Sequence, residues 1–296
     1  MSKDLNRNTE SQSSPHGGVR GGCYKLCMLL PPKYDARKWT LARQVGVNYA
    51  ITKAMPELSG RNAPYDLKAL TAIKADFEKA GFQLYGLEGD QFDMSPIKLG
   101  LPNRDEWIDK YRQMIRNMAQ LEIPLLCYNF MASIGWMRTR VDVSERGGAL
   151  TSEFDFNEIK DERVAEELRI SEEKLWDNLF YFIDAVLPVA EENGIQMALH
   201  PDDPPISPLK GVGRILTSAA AFDKIIQKFP SPSNGITFCQ ATFKIMGEDI
   251  KAVSKKWLTD NRIFFIHLRD VEGDKYKFRE TFHDNGPTPM AVMLKH

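Results

Sequence analysis

The sequence QMALHP (196–201) is a short apolar run that ends next to a histidine, and two similar runs, NGITFCQ (234–240) and IFFIHLRD (263–270), follow it along the chain. Each run predicts a buried β-strand, because a loop and then a helical pattern come after it. In a parallel α/β barrel the carboxyl ends of the strands converge on one pocket. The side chains that close these three runs are therefore expected to meet, although they lie far apart in sequence.

The alternation of strand and helix extends through most of the chain. Four earlier apolar runs also predict strands, at 23–30, 48–54, 83–89 and 124–130. Helical periodicity predicts helices at 35–45, 66–81, 105–121, 171–193, 218–229 and 247–258, and a last one near Pro289. Strands that alternate with helices indicate a parallel sheet. Seven βα units favour an α/β fold of the TIM (β/α)8-barrel type that is incomplete by one unit.

Particular residues are placed to begin and end these helices. Asp66 and Ser171 are residue types that cap helix N-termini, and acidic residues follow Ser171 in the first turn. Gly81 and the pair Asn193-Gly194 are typical of helix ends, because these residue types tolerate the left-handed conformation there.

Composition and charge limit the class of protein. The 296 residues are 43% hydrophobic and 27% charged, which is ordinary for a globular chain with a sizeable core. A formal net charge of −1 does not suggest nucleic acid or an anionic membrane surface as a partner. The chain has no apolar run of ~18 residues that predicts a membrane span, and no glycine-rich phosphate-binding motif.

The four cysteines lack CxxC spacing, so we expect no disulfide framework and a reducing, cytoplasmic location.

The chain is expected to comprise a short tail and one domain. Residues 1–21 are polar and rich in Gly and Ser, without the apolar segment of a signal peptide, so we expect a disordered tail. Residues 22–296 would form the barrel domain, with a polar insertion near 137–165 that is long enough to be a lid or an active-site excursion. Open edges at the first and seventh strands predict self-association, as a homo-oligomer or an aggregate.

Three residues with metal-ligating side chains stand at the ends of consecutive strands, namely His200, Cys239 and His267. Taken singly, such a histidine is more often a hydrogen-bonded structural residue, and such a cysteine is more often a small buried apolar one. Taken together, two imidazoles and a thiolate suit a borderline divalent metal. Asp202 and Asp203 follow the first strand end, where either can orient an imidazole or simply order the turn before proline.

Arg269 is a candidate for binding an acidic substrate. It lies two residues beyond His267 and therefore on the same face of the strand. A guanidinium beside a metal suits a substrate carboxylate. The alternative is an ion pair with Asp270 or Glu272.

Two further groups of polar residues lie near predicted strand ends. The exit of the fourth strand carries three residues that can bind a polyol or a carboxylate: Asn129, Trp136 and Arg138. Arg138 can equally be a solvated loop charge. The segment FHDNG contains His283 and Asp284, and a histidine near a metal-bound hydroxy acid suits a general acid or base. A simple turn is the alternative there.

Several segments together resemble the mannonate dehydratase family: IKLGLPNRDEWIDKYRQMIRNM (97–118), CYNFM (127–131), WMRT (136–139), HPDDPP (200–205), GITFCQ (235–240), HLRDVEG (267–273) and FRETFHDNG (278–286). The resemblance covers residues 25–296, and HPDDPP followed by FHDNG is a specific combination. It implies a metal-dependent TIM barrel that uses Mn(II) or Fe(II). The implied reaction removes water from the sugar acid D-mannonate to give 2-dehydro-3-deoxy-D-gluconate in glucuronate breakdown.

The resemblance also implies roles for the candidate residues. Carried over by motif, the metal ligands would be His200, Cys239 and His267. A metal on the substrate carboxylate and 2-hydroxyl would favour removal of the C2 proton, and the C3 hydroxyl would leave with a proton from a general acid. His283, with Asp284 beside it, is the candidate for one of these proton transfers. Arg269 and Arg138 would hold the substrate.

Two departures from the family pattern keep alternatives open. Members normally continue into an eighth strand with an RPDH-like motif that supplies a carboxylate metal ligand, whereas this sequence ends at His296. The segments KLCMLLPPKYDARKW and GWMRT also differ from the family pattern, which leaves another sugar acid open as the substrate. The alternatives are a metal-dependent sugar isomerase or epimerase of the same barrel type, or a truncated, catalytically inactive homologue that binds a sugar acid.

Overall fold

The computed structural model describes residues 24–295, so the predicted tail at 1–21 lies outside the described residues, as does His296. Eleven strands lie within the described range: β1 (Cys27–Leu29), β2 (Tyr49–Thr52), β3 (Gln83–Glu88), β4 (Leu125–Tyr128), β5 (Arg140–Ser144), β6 (Leu150–Asp155), β7 (Gln196–Leu199), β8 (Asn234–Cys239), β9 (Ile263–His267), β10 (Asp270–Gly273) and β11 (Lys277–Thr281). Ten α-helices lie there too: α1 (Ala36–Gln44), α2 (Pro56–Ser59), α3 (Leu67–Lys79), α4 (Ser95–Leu99), α5 (Arg104–Gln120), α6 (Glu172–Glu192), α7 (Ala219–Lys228), α8 (Gln240–Ile245), α9 (Ile250–Thr259) and α10 (Met290–Met293).

Seven of the strands form one curled sheet in the order β1-β2-β3-β4-β7-β8-β9. Every neighbouring pair in this sheet is parallel. Each predicted strand is present, which confirms the expected incomplete TIM (β/α)8-type barrel. Among residues 24–295, β1 and β9 each have a single neighbour in the sheet, so the barrel is open between them.

The helices begin and end where the capping residues predict. The side chain of Asp66 accepts hydrogen bonds from backbone N–H groups in the first turn of α3, and Ser171 does the same for α6. Gly81 and Gly194 follow these two helices with φ angles of +83° and +66°, which glycine adopts without steric cost. No helix within residues 24–295 is both long enough and apolar enough to cross a membrane.

The two faces of the barrel sheet pack against different layers. Outward-facing side chains join the helices in the main core, where Phe182 of α6 contacts the rings of Tyr111 and Tyr128 at centroid distances of 4.8 Å and 6.0 Å. Inward-facing side chains form a smaller apolar layer: Ile51, Leu125 and Ala198. Because side chains alternate between the faces of a strand, this inner layer leads directly to the residues at the carboxyl ends.

A second, antiparallel sheet stands next to the carboxyl ends of the barrel strands, in the order β10-β11-β6-β5. It contains β5 and β6 from the segment that the sequence singles out as an insertion, and β10, which begins three residues after the end of β9. Its core includes Phe154, Phe278 and Val271, which are buried. Sequence reasoning missed these four strands, because they are short and mostly polar, and it also missed the short helices α2, α4 and α8.

Truncating the main core is expected to destabilise the fold. Phe182 is fully buried and contacts three other aromatic rings, so Phe182→Ala should lower the free energy of unfolding by about 3–5 kcal/mol through lost burial and a residual cavity. Leu58→Ala is the control, because Leu58 is 46% exposed, and it should change stability by no more than ~0.5 kcal/mol. Chemical denaturation of both variants measures the difference, and equal effects would contradict the described packing.

Candidate metal centre

The carboxyl ends of three neighbouring strands bring two imidazoles and a thiol together. Cys239 of β8 lies opposite His267 of β9 in the parallel register. His200 directly follows β7, and its backbone N–H donates to Tyr128 at the end of β4 at 2.7 Å. The ligating atoms of the three side chains lie within 4.8 Å of one another, and Nε2 of His200 is 3.1 Å from Nδ1 of His267.

The other nitrogen of the His200 ring fixes the direction of this contact. Nδ1 of His200 lies 2.7 Å from the carbonyl oxygen of Pro201. A carbonyl oxygen only accepts hydrogen bonds, so Nδ1 carries the proton. In the neutral ring, Nε2 of His200 therefore presents its lone pair towards His267.

The groups around Cys239 favour the thiolate form of its side chain. Burial alone would raise the pKa of its thiol, but the Arg269 guanidinium and the His200 ring outweigh burial and hold the pKa well below its ordinary value. The hydroxyl of Thr242 donates to Sγ of Cys239 at 3.1 Å, and Nη1 of Arg269 lies 3.6 Å from it. The thiolate is the form of cysteine that binds metals.

The three side chains fit a divalent cation of borderline softness. Metal bonds to imidazole nitrogen and to thiolate sulfur are about 2.0–2.3 Å long, so two ligands of one ion lie at most ~4.5 Å apart. The two facing imidazole nitrogens meet this limit at 3.1 Å, and the whole set needs only small adjustments to meet it. Nitrogen and sulfur donors of this kind accept several first-row ions.

A second group of possible ligands shares His267. Glu88 and Cys127 are paired residues of β3 and β4, and their ligating atoms lie within 4.8 Å of His267. Oε2 of Glu88 is 3.4 Å from Nε2 of His267. Burial, with the charge of Glu88 nearby, raises the pKa of the Cys127 thiol, so this sulfur is in its poorly ligating protonated form. Sequence reasoning missed both residues, although the charge of Glu88 at the end of an apolar run was an available signal.

Glu88 and His267 are oppositely charged in this arrangement. Burial alone would lower the pKa of His267, but the Glu88 carboxylate outweighs burial and holds it well above its ordinary value. Burial alone would raise the pKa of Glu88, and the His267 ring in turn lowers it. The contact is therefore an ion pair between the Glu88 carboxylate and the protonated His267 ring.

A buried ion cluster joins the barrel to the second sheet. The guanidinium of Arg138 donates to both oxygens of Asp203 at 2.8 Å and 3.0 Å, and to Glu280 at 2.6 Å. Nη1 of Arg269 donates to Asp203 at 2.8 Å, and its Nε lies 2.9 Å from Glu280. Two guanidiniums and two carboxylates thus balance one another, and the side chain of Arg138 has no exposed surface.

These contacts decide between several alternatives raised by the sequence. Arg138 is not a solvated loop charge, and Arg269 pairs with Asp203 and Glu280 rather than with Asp270 or Glu272. Asp202 instead binds a distant loop: its Oδ2 accepts from the backbone N–H groups of Ile215 and Leu216 at 3.0 Å and 2.9 Å, and its Oδ1 lies 3.8 Å from Arg214. The hydrogen bonds described for Asp202 and Asp203 do not include an imidazole.

The structure places His283 and Asp284 on the exposed surface after β11. Nε2 of His283 donates to the carbonyl oxygen of Leu268 at 2.6 Å, so the loop lies against the residue that follows β9. Asp284 pairs with Arg146 of the second sheet region. In the described part of the chain, neither residue bonds directly to the three candidate ligands.

Asn129 and Trp136 flank the exit of β4. Oδ1 of Asn129 accepts from the buried ammonium of Lys98 at 3.0 Å and from a backbone N–H at 3.1 Å. The Trp136 side chain is 53% exposed, and the guanidinium of Arg138 lies 4.5 Å from its ring centre. Trp136 therefore offers an open aromatic face, supported from behind by the ion cluster.

The fold and the donor set together define the class: a TIM-type barrel with a candidate metal centre at the carboxyl ends of its strands. The family model for D-mannonate dehydratase (UxuA) matches residues 33–169 and 163–296. The chain belongs to this family, which is named for a hydro-lyase reaction, and the resemblance found in the sequence is confirmed.

Individual relatives agree with the family match. A mannonate dehydratase of Streptococcus equi subsp. zooepidemicus is 34% identical over 82% of this chain and 76% of its own length. Mannonate dehydratase 2 of Halalkalibacterium halodurans is 33% identical over 84% of this chain and 82% of its own length. The crystal structure of mannonate dehydratase from Streptococcus suis serotype 2 superimposes with a TM-score of 0.83 at 31% identity, covering 93% of this chain and 81% of that one.

Removing the central carboxylate of the ion cluster is expected to be costly. Asp203→Asn would leave two guanidiniums with one carboxylate in a buried setting, so the free energy of unfolding should fall by about 3–5 kcal/mol. Asp142→Asn is the control, because Asp142 has a side chain that is 74% exposed. Urea denaturation at neutral pH measures both variants, and equal stability of the Asp203 variant and the wild type would contradict the cluster.

The same cluster predicts a pH dependence. Burial alone would raise the pKa of Asp203, but Arg269 and Arg138 outweigh burial and hold it below the ordinary 3.8. A carboxylate with a lowered pKa contributes stability that is fully present above its unfolded-state pKa and is lost as the pH falls through the folded-state value. The stability difference between wild type and Asp203→Asn should therefore be constant above pH ~4.5 and shrink in stronger acid. A difference that grows in acid would contradict this sign.

Proposed function

We propose that the protein is a metal-dependent hydro-lyase that converts D-mannonate to 2-dehydro-3-deoxy-D-gluconate in glucuronate catabolism. The observation that carries the proposal is the meeting of two imidazoles and a stabilised thiolate at the carboxyl ends of the barrel strands. Family membership supports the reaction type, because curated relatives carry the name mannonate dehydratase.

His200, Cys239 and His267 would hold the metal, through Nε2, Sγ and Nδ1 respectively. Mn(II) or Fe(II) is the proposed ion, and donors of this mixed type accept either. When bound, a divalent cation would act as a Lewis acid on the substrate carboxylate and 2-hydroxyl and make the C2 proton easier to remove.

Arg269 is proposed to bind the acidic end of the substrate. Its Nη1 donates to Asp203 and its Nε forms an ion pair with Glu280 at 2.9 Å, whereas Nη2 has neither a hydrogen bond nor an ion-pair contact of this kind among residues 24–295. These contacts fix the direction of the guanidinium near Cys239 and leave Nη2 to donate to a bound substrate. Such a preorganised donor suits a carboxylate or hydroxyl oxygen.

Arg138, Asn129 and Trp136 are proposed to shape the remainder of the substrate site. Arg138 would act through the ion cluster, because both ends of its guanidinium are already occupied by carboxylates. The exposed ring of Trp136 can cover the apolar face of a polyol chain. The amide of Asn129, held by Lys98, can hydrogen-bond a hydroxyl group.

His283 is proposed to transfer a proton in the reaction. Dehydration removes the proton at C2, and the C3 hydroxyl leaves as water after it gains a proton. Nε2 of His283 is committed to the Leu268 carbonyl, so Nδ1 is the atom free to accept or donate a proton. Asp284, paired with Arg146, would hold the loop that carries this ring.

An activity assay after metal reconstitution tests both the metal dependence and the product of the proposed reaction. The purified chain, reconstituted with Mn(II) or Fe(II) under anaerobic conditions and given D-mannonate, should form a 2-keto acid. A chelator should abolish turnover, and Cys239→Ala should lower it by at least ~100-fold, because loss of a ligand weakens metal binding. Cys27→Ala is the matched cysteine control, because Cys27 belongs to neither group of possible ligands.

Three outcomes would each contradict part of the proposed function. Formation of a 2-keto acid from another hexonate only would change the substrate. An isomerised or epimerised sugar as product would support the isomerase alternative. Tight metal binding without turnover of any hexonate would support the inactive homologue.

The role of Arg269 predicts a defect in substrate binding. Arg269→Lys keeps the charge but loses the planar fork, so KM for D-mannonate should rise about 10–100-fold, equivalent to about 1.5–3 kcal/mol for a hydrogen bond to a charged group. Metal stoichiometry should not change. Arg279→Lys is the control on the second sheet, where Arg279 forms an exposed ion pair. An unchanged KM in the Arg269 variant would remove it from the substrate site.

A further inference from the structure

His267 stands between two sets of partners, and only one set has a part in the proposed reaction. Its Nδ1 faces Nε2 of His200 at 3.1 Å. Its Nε2 faces the carboxylate of Glu88 at 3.4 Å, from the last residue of β3. Both side chains of the Glu88–His267 contact are about four-fifths buried, with exposed fractions of 21% and 20%.

The chemistry of the two partners fixes which nitrogen of His267 carries a proton. An ionised carboxylate can only accept hydrogen bonds. When a metal ion replaces one proton of the protonated His267 ring, the remaining proton is therefore most stable on the nitrogen that faces the carboxylate. Nε2 of His267 is that nitrogen, although 3.4 Å makes the contact chiefly electrostatic. In the metal-bound ring the lone pair would then lie on Nδ1, which faces Nε2 of His200.

We propose that Glu88 is the positioning carboxylate of the candidate metal centre: it holds His267 in the Nε2–H tautomer and so presents Nδ1 as the ligand atom. This inference rests on the metal site of the proposed function. The two imidazoles are then oriented oppositely, because the Pro201 carbonyl holds the proton of His200 on Nδ1. A carboxylate partner also makes its imidazole the more basic ligand.

The carboxylates that the sequence suggested for this task are committed elsewhere. Asp203 is bound by Arg138 and Arg269, and Asp202 accepts from backbone N–H groups. Glu88 has His267 as its ion-pair partner in the described part of the chain. Its position at the end of β3, beside Cys127 of β4, places it on the inner face of the barrel, across from β9.

The competing interpretation is that Glu88, Cys127 and His267 hold an ion of their own. That arrangement needs Nε2 of His267 without a proton and a Cys127 thiolate. The two interpretations predict different stoichiometries, one ion per chain if Glu88 positions the ring and two if it is itself a ligand. They also predict opposite protonation of Nε2 in the metal-bound protein.

The test compares the full-length wild type with Glu88→Gln and with Glu272→Gln, a control at an exposed glutamate. Calorimetric titration with Mn(II) and with Zn(II) gives affinity and stoichiometry. We expect one ion per chain throughout, a dissociation constant raised about 10–100-fold in Glu88→Gln, and no change in the control. Glu88→Asp, which keeps the charge, should recover part of the lost affinity.

A measurement on the wild type keeps the inference falsifiable if the Glu88 variants fold poorly. Nitrogen-15 NMR of the Zn(II)-loaded wild type reports the state of each ring nitrogen. We expect a proton on Nε2 of His267 and on Nδ1 of His200. A metal-bound Nε2 of His267, two ions per wild-type chain, or an unchanged affinity in a folded Glu88→Gln variant would overturn the inference.

The outcomes separate this inference from the proposed function. Metal binding that depends on Glu88, without turnover of D-mannonate, would leave the inference standing and reject the reaction. Turnover with metal affinity that is independent of Glu88 would do the reverse. A wild type that binds neither Mn(II) nor Zn(II) would overturn both.

Discussion

The parallel pairing of β8 with β9 is the constraint on which the candidate site depends, because it sets Cys239 directly beside His267. The neighbouring strand β7 then delivers His200 to the same edge, with its ring held by the Pro201 carbonyl. Three donors from separate βα units meet only because the strands run in one direction and curl. The site is thus a property of sheet topology, and the helices contribute by packing the outer face.

Charge balance in the surroundings determines what these donors can do. The buried cluster around Asp203 neutralises Arg138 and Arg269, yet Nη2 of Arg269 makes no hydrogen bond within residues 24–295. The same guanidinium lies 3.6 Å from Cys239 and helps to keep that sulfur a thiolate. The ion cluster therefore links the second sheet, through Glu280, to the electrostatics of the metal centre.

The parts of this arrangement that the sequence could predict are those with a continuous local signal. Each barrel strand is an apolar run, and His200, Cys239 and His267 are chemically distinct residues at the ends of such runs. The contacts of Glu88 and Arg138 could not be predicted, because their partners are distant in sequence and depend on how strands and loops meet in space. The second sheet was missed because its short strands alternate too briefly to be distinguished from a polar loop.

Anomalous diffraction from crystals grown with Mn(II) tests the central claim most directly, because it locates the ion without relying on activity. The ion is expected within bonding distance of Nε2 of His200, Sγ of Cys239 and Nδ1 of His267, with Glu88 at hydrogen-bonding distance from the far nitrogen of the His267 ring. An ion bound instead by Glu88 and Cys127, or the absence of any anomalous peak at the carboxyl ends of β7, β8 and β9, would contradict it.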